Sequence, residues 1–164
     1  MMDQTELKII KIAILNEVEG EKFYKNAAQN AKDPDTSNAF LHLAEDEKRH
    51  QAMLRGMLEY IMANQEFSID KLNLQVTPSP RIFNAANSKD AESSMEISVF
   101  HIGILMEKAS MDYYRKAAQS TTLPAARSLY ESLADWEMHH LEEMEKIYDS
   151  LTEDWWDKQS YSPS

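Results

Sequence analysis

The sequence predicts an all-α protein, a four-helix bundle made of two helical hairpins with a long crossover between helices 2 and 3. Two observations carry this prediction. Apolar residues recur at helical spacing in four long stretches, and the first two stretches resemble the last two when the sequence is shifted by 90 residues. No segment alternates polar and apolar residues as a strand would. The 164 residues, 43% of them apolar, suffice to fill one bundle core.

The first hairpin begins with helix 1, predicted over about residues 4–31, where Asp3 followed by Glu6 resembles a capping box. Helix 2 is predicted over about 36–64 and is opened by Pro34. Both helices carry an apolar stripe, made of Ile10, Ala13, Ile14, Tyr24, Ala27 and Ala28 in helix 1 and of Phe40, Leu43, Ala44, Leu54, Met57 and Leu58 in helix 2.

The second hairpin has the same plan. Helix 3 is predicted over about 91–119, after Ser88 and Asp90 as candidate caps, and helix 4 from near Pro124 to about residue 151. The apolar stripe of helix 4 consists of Tyr130, Leu133, Ala134, Leu141, Met144 and Ile147.

The predicted domain organisation is one bundle at 1–151, with halves at 4–64 and 91–151, a crossover at 65–90 and a C-terminal tail at 152–164. Each helix of about 28 residues is about 42 Å long, and about 25 residues can span that distance. Helices 2 and 3 are therefore expected to run parallel. The tail carries Trp155 and Trp156 beyond helix 4, where they either cap the bundle or join a subunit interface.

The composition excludes several classes of function. A net charge of -11 repels nucleic acid and anionic lipid, so we expect neither a nucleic-acid nor a membrane partner. The chain has no cysteine, which excludes disulfides, cysteine zinc sites and iron–sulfur clusters, and leaves oxygen and imidazole nitrogen as metal ligands. Because the N-terminal segment lacks the features of a signal peptide, we expect a cytoplasmic protein.

The two halves look like a duplication. Thirteen of the 44 positions from Lys11 to Leu54 are identical to those 90 residues later. The alternative is that any two amphipathic helices look alike, but amphipathicity explains shared leucines and alanines rather than shared glutamates and histidines. A duplicated hairpin is the more economical explanation.

Four glutamates lie at core positions of the helices, namely Glu17, Glu47, Glu107 and Glu137. Glu17, for example, has Ile10 and Tyr24 seven residues to either side, on the same helix face. An unpaired buried carboxylate costs several kcal/mol, so four of them would be either protonated or bound to cations. The alternative is that they extend to the bundle's edge as solvated charges.

Two histidines favour cations. His50 and His140 each follow a core glutamate by three residues and share its helix face. Two divalent ions would be neutralised by the four carboxylates, and two neutral imidazoles would complete the donor set, as in di-iron and di-manganese bundles. Such donors suit iron or manganese and also admit zinc.

Other polar residues have less specific interpretations. Tyr24 and Tyr114 lie seven residues after Glu17 and Glu107, where their hydroxyls either hydrogen-bond a ligand carboxylate or pack in the core. The remaining histidines have no equivalents in the other half and are expected at the surface or the bundle edge; they are His42, His101 and His139.

The segments AILNEVEGEKFY and FLHLAEDEKRH, with GILMEKASMDYY and YESLADWEMHH, resemble the ferritin-like superfamily and most closely its rubrerythrin group, over about residues 8–150. The resemblance implies a ferritin-like bundle with a diiron carboxylate site. In such a site Glu47 and Glu137 bridge two irons, Glu17 and His50 complete one, and Glu107 and His140 complete the other. Tyr24 and Tyr114 match tyrosines around the family's site. The candidate catalytic residues are Glu47, Glu137, Tyr24 and Tyr114.

Two features depart from rubrerythrins proper. A chain without cysteine has no rubredoxin-type iron domain, and Ser110 stands where rubrerythrins place an additional glutamate ligand. The remaining six ligands are those of the wider superfamily, including bacterioferritin-type ferroxidase centres. Residues 152–164 are too short and polar for the packed fifth helix of a ferritin.

The function implied by the resemblance is that of a non-haem diiron oxidoreductase reducing hydrogen peroxide or dioxygen, by peroxidase or ferroxidase chemistry. Its expected partners are the small-molecule oxidant, a separate electron donor protein and a second copy in a homodimer. One alternative is a module that buffers or senses iron, manganese or zinc without turnover. Another is a metal-free helical interaction domain.

Overall fold

The computed structural model describes residues 4–63 and 94–159. These residues form four α-helices and no strand: α1 (Gln4–Asn30), α2 (Pro34–Met62), α3 (Ser94–Ser120) and α4 (Pro124–Lys158). The predicted all-α bundle is confirmed. The crossover at 65–90 lies outside the described residues, as do Asp3, Ser88 and Asp90. No described helix has an apolar stretch long enough to cross a bilayer.

Each half is a helical hairpin closed by a short connection. Asp33 caps α2 by accepting a hydrogen bond from the backbone N–H of Thr36 at 2.8 Å, and Pro34 occupies the first turn, where a missing N–H costs nothing. Pro124 starts α4 in the same way. The end of α3 is held by Arg127, which donates to the backbone carbonyls of Ala118 and Thr121 at 3.2 and 3.1 Å.

The two hairpins meet through α1 against α3 and α2 against α4. Tyr113, near the C-terminal end of α3, donates to the carbonyl of Ile9, near the start of α1, at 2.7 Å. Helices α1 and α3 are therefore antiparallel. Because α2 is antiparallel to α1, α2 and α3 run parallel, as predicted.

The core consists of two apolar clusters. One cluster contains Ile10, Leu54, Tyr114 and Leu133. The other contains Phe40 and further residues, which lie toward the opposite ends of the same helices. Almost every residue of the predicted apolar stripes is buried, and Leu58 and Ile147 are half-buried. The helical positions of the four core glutamates fall between the two clusters. A polar layer therefore lies at mid-length, enclosed by apolar packing on both sides.

The prediction that helix 4 ends near residue 151 is wrong. The helix continues to Lys158 and includes Trp155 and Trp156, which the sequence pattern assigns to a C-terminal tail. Residues 152–158 contain neither glycine nor proline, Leu151 is buried, and Lys158 suits the negative end of the helix dipole. Polar composition alone therefore does not end a helix. The two indoles pack edge to face with centroids 4.9 Å apart and remain exposed.

Candidate metal centre

Six ionisable side chains meet in the polar layer. Each helix contributes: Glu17 from α1, Glu47 and His50 from α2, Glu107 from α3, and Glu137 and His140 from α4. None of the six is more than 5% exposed. All six residues predicted from the sequence as metal ligands are thus buried and close together. The remaining histidines are exposed, as predicted; they are His42, His101 and His139.

The six side chains form two overlapping clusters, one of Glu17, Glu47, His50 and Glu137 and the other of Glu47, Glu107, Glu137 and His140. Within each cluster, one ligand atom per residue lies within 4.8 Å of every other. Glu47 and Glu137 belong to both clusters. The centre therefore has two adjacent positions that share two carboxylates.

Both imidazoles face the carboxylates through Nδ1. This atom of His50 lies 3.2 Å from an oxygen of Glu17 and 3.2 Å from an oxygen of Glu137. In His140 it lies 3.7 Å from oxygens of both Glu107 and Glu137. The two rings are nearly parallel, 21° apart in plane, with centroids 6.0 Å apart.

The two tyrosines hydrogen-bond carboxylates of the centre, each in the opposite hairpin. Tyr24 of α1 donates to Glu107 of α3, and Tyr114 of α3 donates to Glu17 of α1. Both interpretations drawn from the sequence are observed: the rings pack in the apolar clusters, and the hydroxyls hydrogen-bond carboxylates of the centre. Burial, together with the neighbouring carboxylates, raises the pKa of both phenols well above the ordinary value, so both hydroxyls stay protonated and donate.

Without a cation the cluster retains protons. Burial and the nearby Glu137 raise the pKa of Glu107 to about 8, and burial with the charges of Glu137 and Glu17 raises that of Glu47 well above its usual range. Although burial opposes its ionisation, contacts with Glu107 and both imidazoles hold the pKa of Glu137 well below the usual value. Burial also disfavours imidazolium, yet Glu17 and Glu107 raise the pKa values of His50 and His140.

The donor set fits two divalent cations. Two buried atoms, Oε1 of Glu137 and Nδ1 of His140, have no hydrogen-bond partner within the described part of the chain. Buried polar atoms are rarely left unpaired, and both belong to the clusters that can hold a metal. Four carboxylates balance the charge of two divalent ions, and imidazole with carboxylate oxygen suits iron, manganese or zinc.

Comparison with known proteins agrees with this geometry. The family model described as Rubrerythrin matches residues 8–148. The chain belongs to the rubrerythrin family. A hypothetical protein from Pyrococcus furiosus has a similar fold, with a TM-score of 0.70 and 22% identity over 93% of this chain and 94% of that chain. At this identity the likeness supports the fold alone. No curated protein matches the chain.

Two further residues contact the histidines, and neither was predicted from the sequence. Nε2 of His140 lies 3.2 Å from Oδ2 of Asp46, whose other oxygen pairs with Arg49 at 2.8 Å. The ring of His50 stacks on the indole of Trp136, with centroids 4.9 Å apart and planes 6° apart. Asp46 and Trp136 directly precede Glu47 and Glu137 in the sequence and are equivalent in the repeat. Their position next to the predicted ligands is the sequence feature that could have identified them.

Gly20 leaves space for the side chain of Glu47, one of the two carboxylates shared by the clusters. A Cβ placed on Gly20 would lie 3.3 Å from Cδ of Glu47, closer than most such contacts. The equivalent position in the second half is Ser110. Neither Gly20 nor Ser110 offers a carboxylate, and the candidate ligands within the described residues are the six Glu and His side chains already named.

The metal-free protein is expected to lose stability as the pH rises from about 4.5 to about 8. The pKa of Glu107 is about 8 in the folded chain and ordinarily 4.5, so in this window the unfolded chain releases a proton that the folded chain keeps. Each such proton lowers the free energy of unfolding by about 1.4 kcal/mol per pH unit. The raised pKa values of Glu47, His50 and His140 act in the same direction.

Urea unfolding of the metal-free protein at several pH values measures this dependence. The Glu107→Gln variant should show a shallower slope, because its side chain does not titrate. A free energy of unfolding that is constant or rises across the window would contradict the prediction.

Proposed function

We propose that this rubrerythrin-family chain is a non-haem diiron oxidoreductase that reduces hydrogen peroxide or dioxygen. The observation that carries the proposal is the pair of buried four-residue clusters sharing Glu47 and Glu137. Glu17 and His50 would complete one metal position, and Glu107 and His140 the other. Manganese or zinc would satisfy the same donors, and the family match favours iron.

A bound diiron pair would supply the redox chemistry, namely the two electrons that, with two protons, reduce one hydrogen peroxide to two waters. The side chains supply charge balance and orientation. Tyr24 and Tyr114 hold Glu107 and Glu17 by hydrogen bonds from the opposite hairpin. Gly20 leaves the carboxylate of Glu47 room that a Cβ at this position would crowd.

A separate electron donor protein belongs to the proposal. The chain contains no cysteine, so it carries no cysteine-ligated iron centre that could return electrons to the site. A cytoplasmic location, expected from the sequence, would place the protein among reduced electron carriers.

A homodimer is the other proposed assembly. Leu15 and Leu105 are equivalent in the repeat and are each 55% exposed, and Ile12 and Ile102 one turn before them are exposed as well. Exposed apolar residues repeated on α1 and α3 suit burial against a second copy. Light scattering of the eluting protein tests this proposal, and a monomer at the concentrations used for metal titration would overturn it.

Anaerobic titration of the metal-free protein with ferrous iron, followed by hydrogen peroxide, tests the function. Binding should saturate at two irons per chain, peroxide should oxidise both, and a reductant should allow repeated cycles. No saturation near two irons, or no oxidation of bound iron, would defeat the proposal. A single oxidation that no reductant reverses would favour the alternative of a metal-buffering or metal-sensing module.

A further inference from the structure

The two histidines of the centre have different neighbours, although the halves that carry them are repeats. Asp46 accepts a hydrogen bond from Nε2 of His140 at 3.2 Å, whereas Trp136, at the equivalent position, stacks on the ring of His50. The carboxylate contacts of His50 within residues 4–63 and 94–159, to Glu17, Glu47 and Glu137, are made through Nδ1. The two halves therefore differ in the residues that directly contact the six ionisable groups.

This difference affects how each imidazole can bind a cation. An acceptor on Nε2–H fixes the tautomer in which Nδ1 carries the lone pair, and a carboxylate acceptor also makes that lone pair more basic. Asp46 therefore prepares Nδ1 of His140 as a ligand. The indole of Trp136 keeps the plane of His50 but accepts no such hydrogen bond and adds no negative charge.

The inner nitrogens differ as well. Nδ1 of His140 is buried and has no hydrogen-bond partner within the described residues. Nδ1 of His50 lies 3.2 Å from Glu17 in a hydrogen bond, which a cation would have to replace. The Asp46 contact and the unpaired Nδ1 therefore both favour cation binding at the position beside His140.

We propose that the two metal positions are inequivalent, and that the position completed by Glu107 and His140 binds a divalent cation more tightly and fills first, with Asp46 as its positioning residue. The inference rests on the proposed metal centre and adds an order of filling to it. Loss of such an outer hydrogen bond typically weakens metal affinity 10–100-fold, which sets the expected size of the difference. A chain with one bound ion would hold it beside His140.

A matched pair of variants compares the two positions. Glu17→Ala keeps all four residues of the cluster with His140, and Glu107→Ala keeps all four of the cluster with His50. The two substitutions are equivalent in the repeat, and each removes the carboxylate that one buried tyrosine contacts. Titration of each metal-free variant with Co²⁺, followed by visible absorption and calorimetry, should give affinity about 10–100-fold higher for Glu17→Ala.

A second substitution in each variant tests whether Asp46 and Trp136 cause the difference in metal affinity. Asp46→Ala added to Glu17→Ala should remove most of its advantage, and Asp46→Asn should keep part of it because the amide oxygen still accepts from Nε2–H. Trp136→Asp added to Glu107→Ala should raise its affinity by supplying the missing carboxylate. Arg49→Gln, which removes the ion pair of Asp46 but not its contact with His140, should change the affinity of Glu17→Ala less than Asp46→Ala does.

Equal affinities of Glu17→Ala and Glu107→Ala, or no effect of Asp46→Ala and Asp46→Asn on the former, would overturn the inference while leaving the metal centre in place. Failure of the wild-type chain to bind Co²⁺ would instead overturn the proposed function. Circular dichroism of each variant verifies the helical fold. If Asp46→Ala does not fold, Asp46→Asn decides the outcome.

Discussion

Replacing both Glu47 and Glu137 by alanine is expected to abolish the binding of two metal ions in one step. Each of these residues belongs to both four-residue clusters, so their loss leaves only two ligands for each position. Removing an outer partner of a metal ligand already weakens affinity 10–100-fold, and removing two shared ligands should exceed that. Anaerobic titration with ferrous iron should then show no saturable binding at about a hundredfold the concentration that saturates the wild type.

A control for this variant lies on the same two helices. Glu45 and Asp135 precede the shared glutamates by two residues, are equivalent in the repeat and are exposed. Replacing both by alanine removes the same number of carboxylates and should leave two-ion binding intact. Unchanged binding by the Glu47 and Glu137 double variant would show that the metal ions bind elsewhere. Absence of binding in the wild type as well would favour a metal-free helical interaction domain.

The ligands were predictable because their signal is local and repeated. Glu17 and Glu47 interrupt apolar stripes that otherwise bury continuous surface, and His50 follows Glu47 at a spacing that shares its face. The second half repeats these residues at the same spacing. Helical periodicity assigns each side chain to a helix face. Because each of the four helices carries one inward-facing carboxylate, these carboxylates are expected to converge in the core of the bundle.

The contacts between helices were less predictable. Periodicity places Tyr24 on the same face as Glu17, but its hydroxyl reaches Glu107 in the opposite hairpin. Likewise Asp46, besides its ion pair with Arg49 on the same helix, contacts His140 across the bundle. Such pairings depend on the offset and rotation of packed helices, which the spacing along one helix does not specify.

Glu6 shows how a local motif can conceal a distant contact. Its spacing from Asp3 suggested a capping box, yet its buried carboxylate accepts hydrogen bonds from Tyr130 and, at 2.6 Å, from Thr121. Burial and Glu6 together raise the pKa of Tyr130 well above its ordinary value, so this phenol donates. The carboxylate thereby ties the start of α1 to the α3–α4 connection and to α4.

Replacing Glu6 by alanine is expected to destabilise the metal-free protein by about 2–5 kcal/mol. The buried hydroxyls of Thr121 and Tyr130 would lose their acceptor, and an unsatisfied buried donor costs about 1–3 kcal/mol. Chemical unfolding measures the loss, with Glu19→Ala as the control because Glu19 is an exposed carboxylate of the same helix and should change stability by less than about 0.5 kcal/mol. Glu6→Gln should recover part of the loss, because its amide oxygen can still accept from one hydroxyl. A Glu6→Ala protein as stable as Glu19→Ala would mean that this contact contributes no net stability.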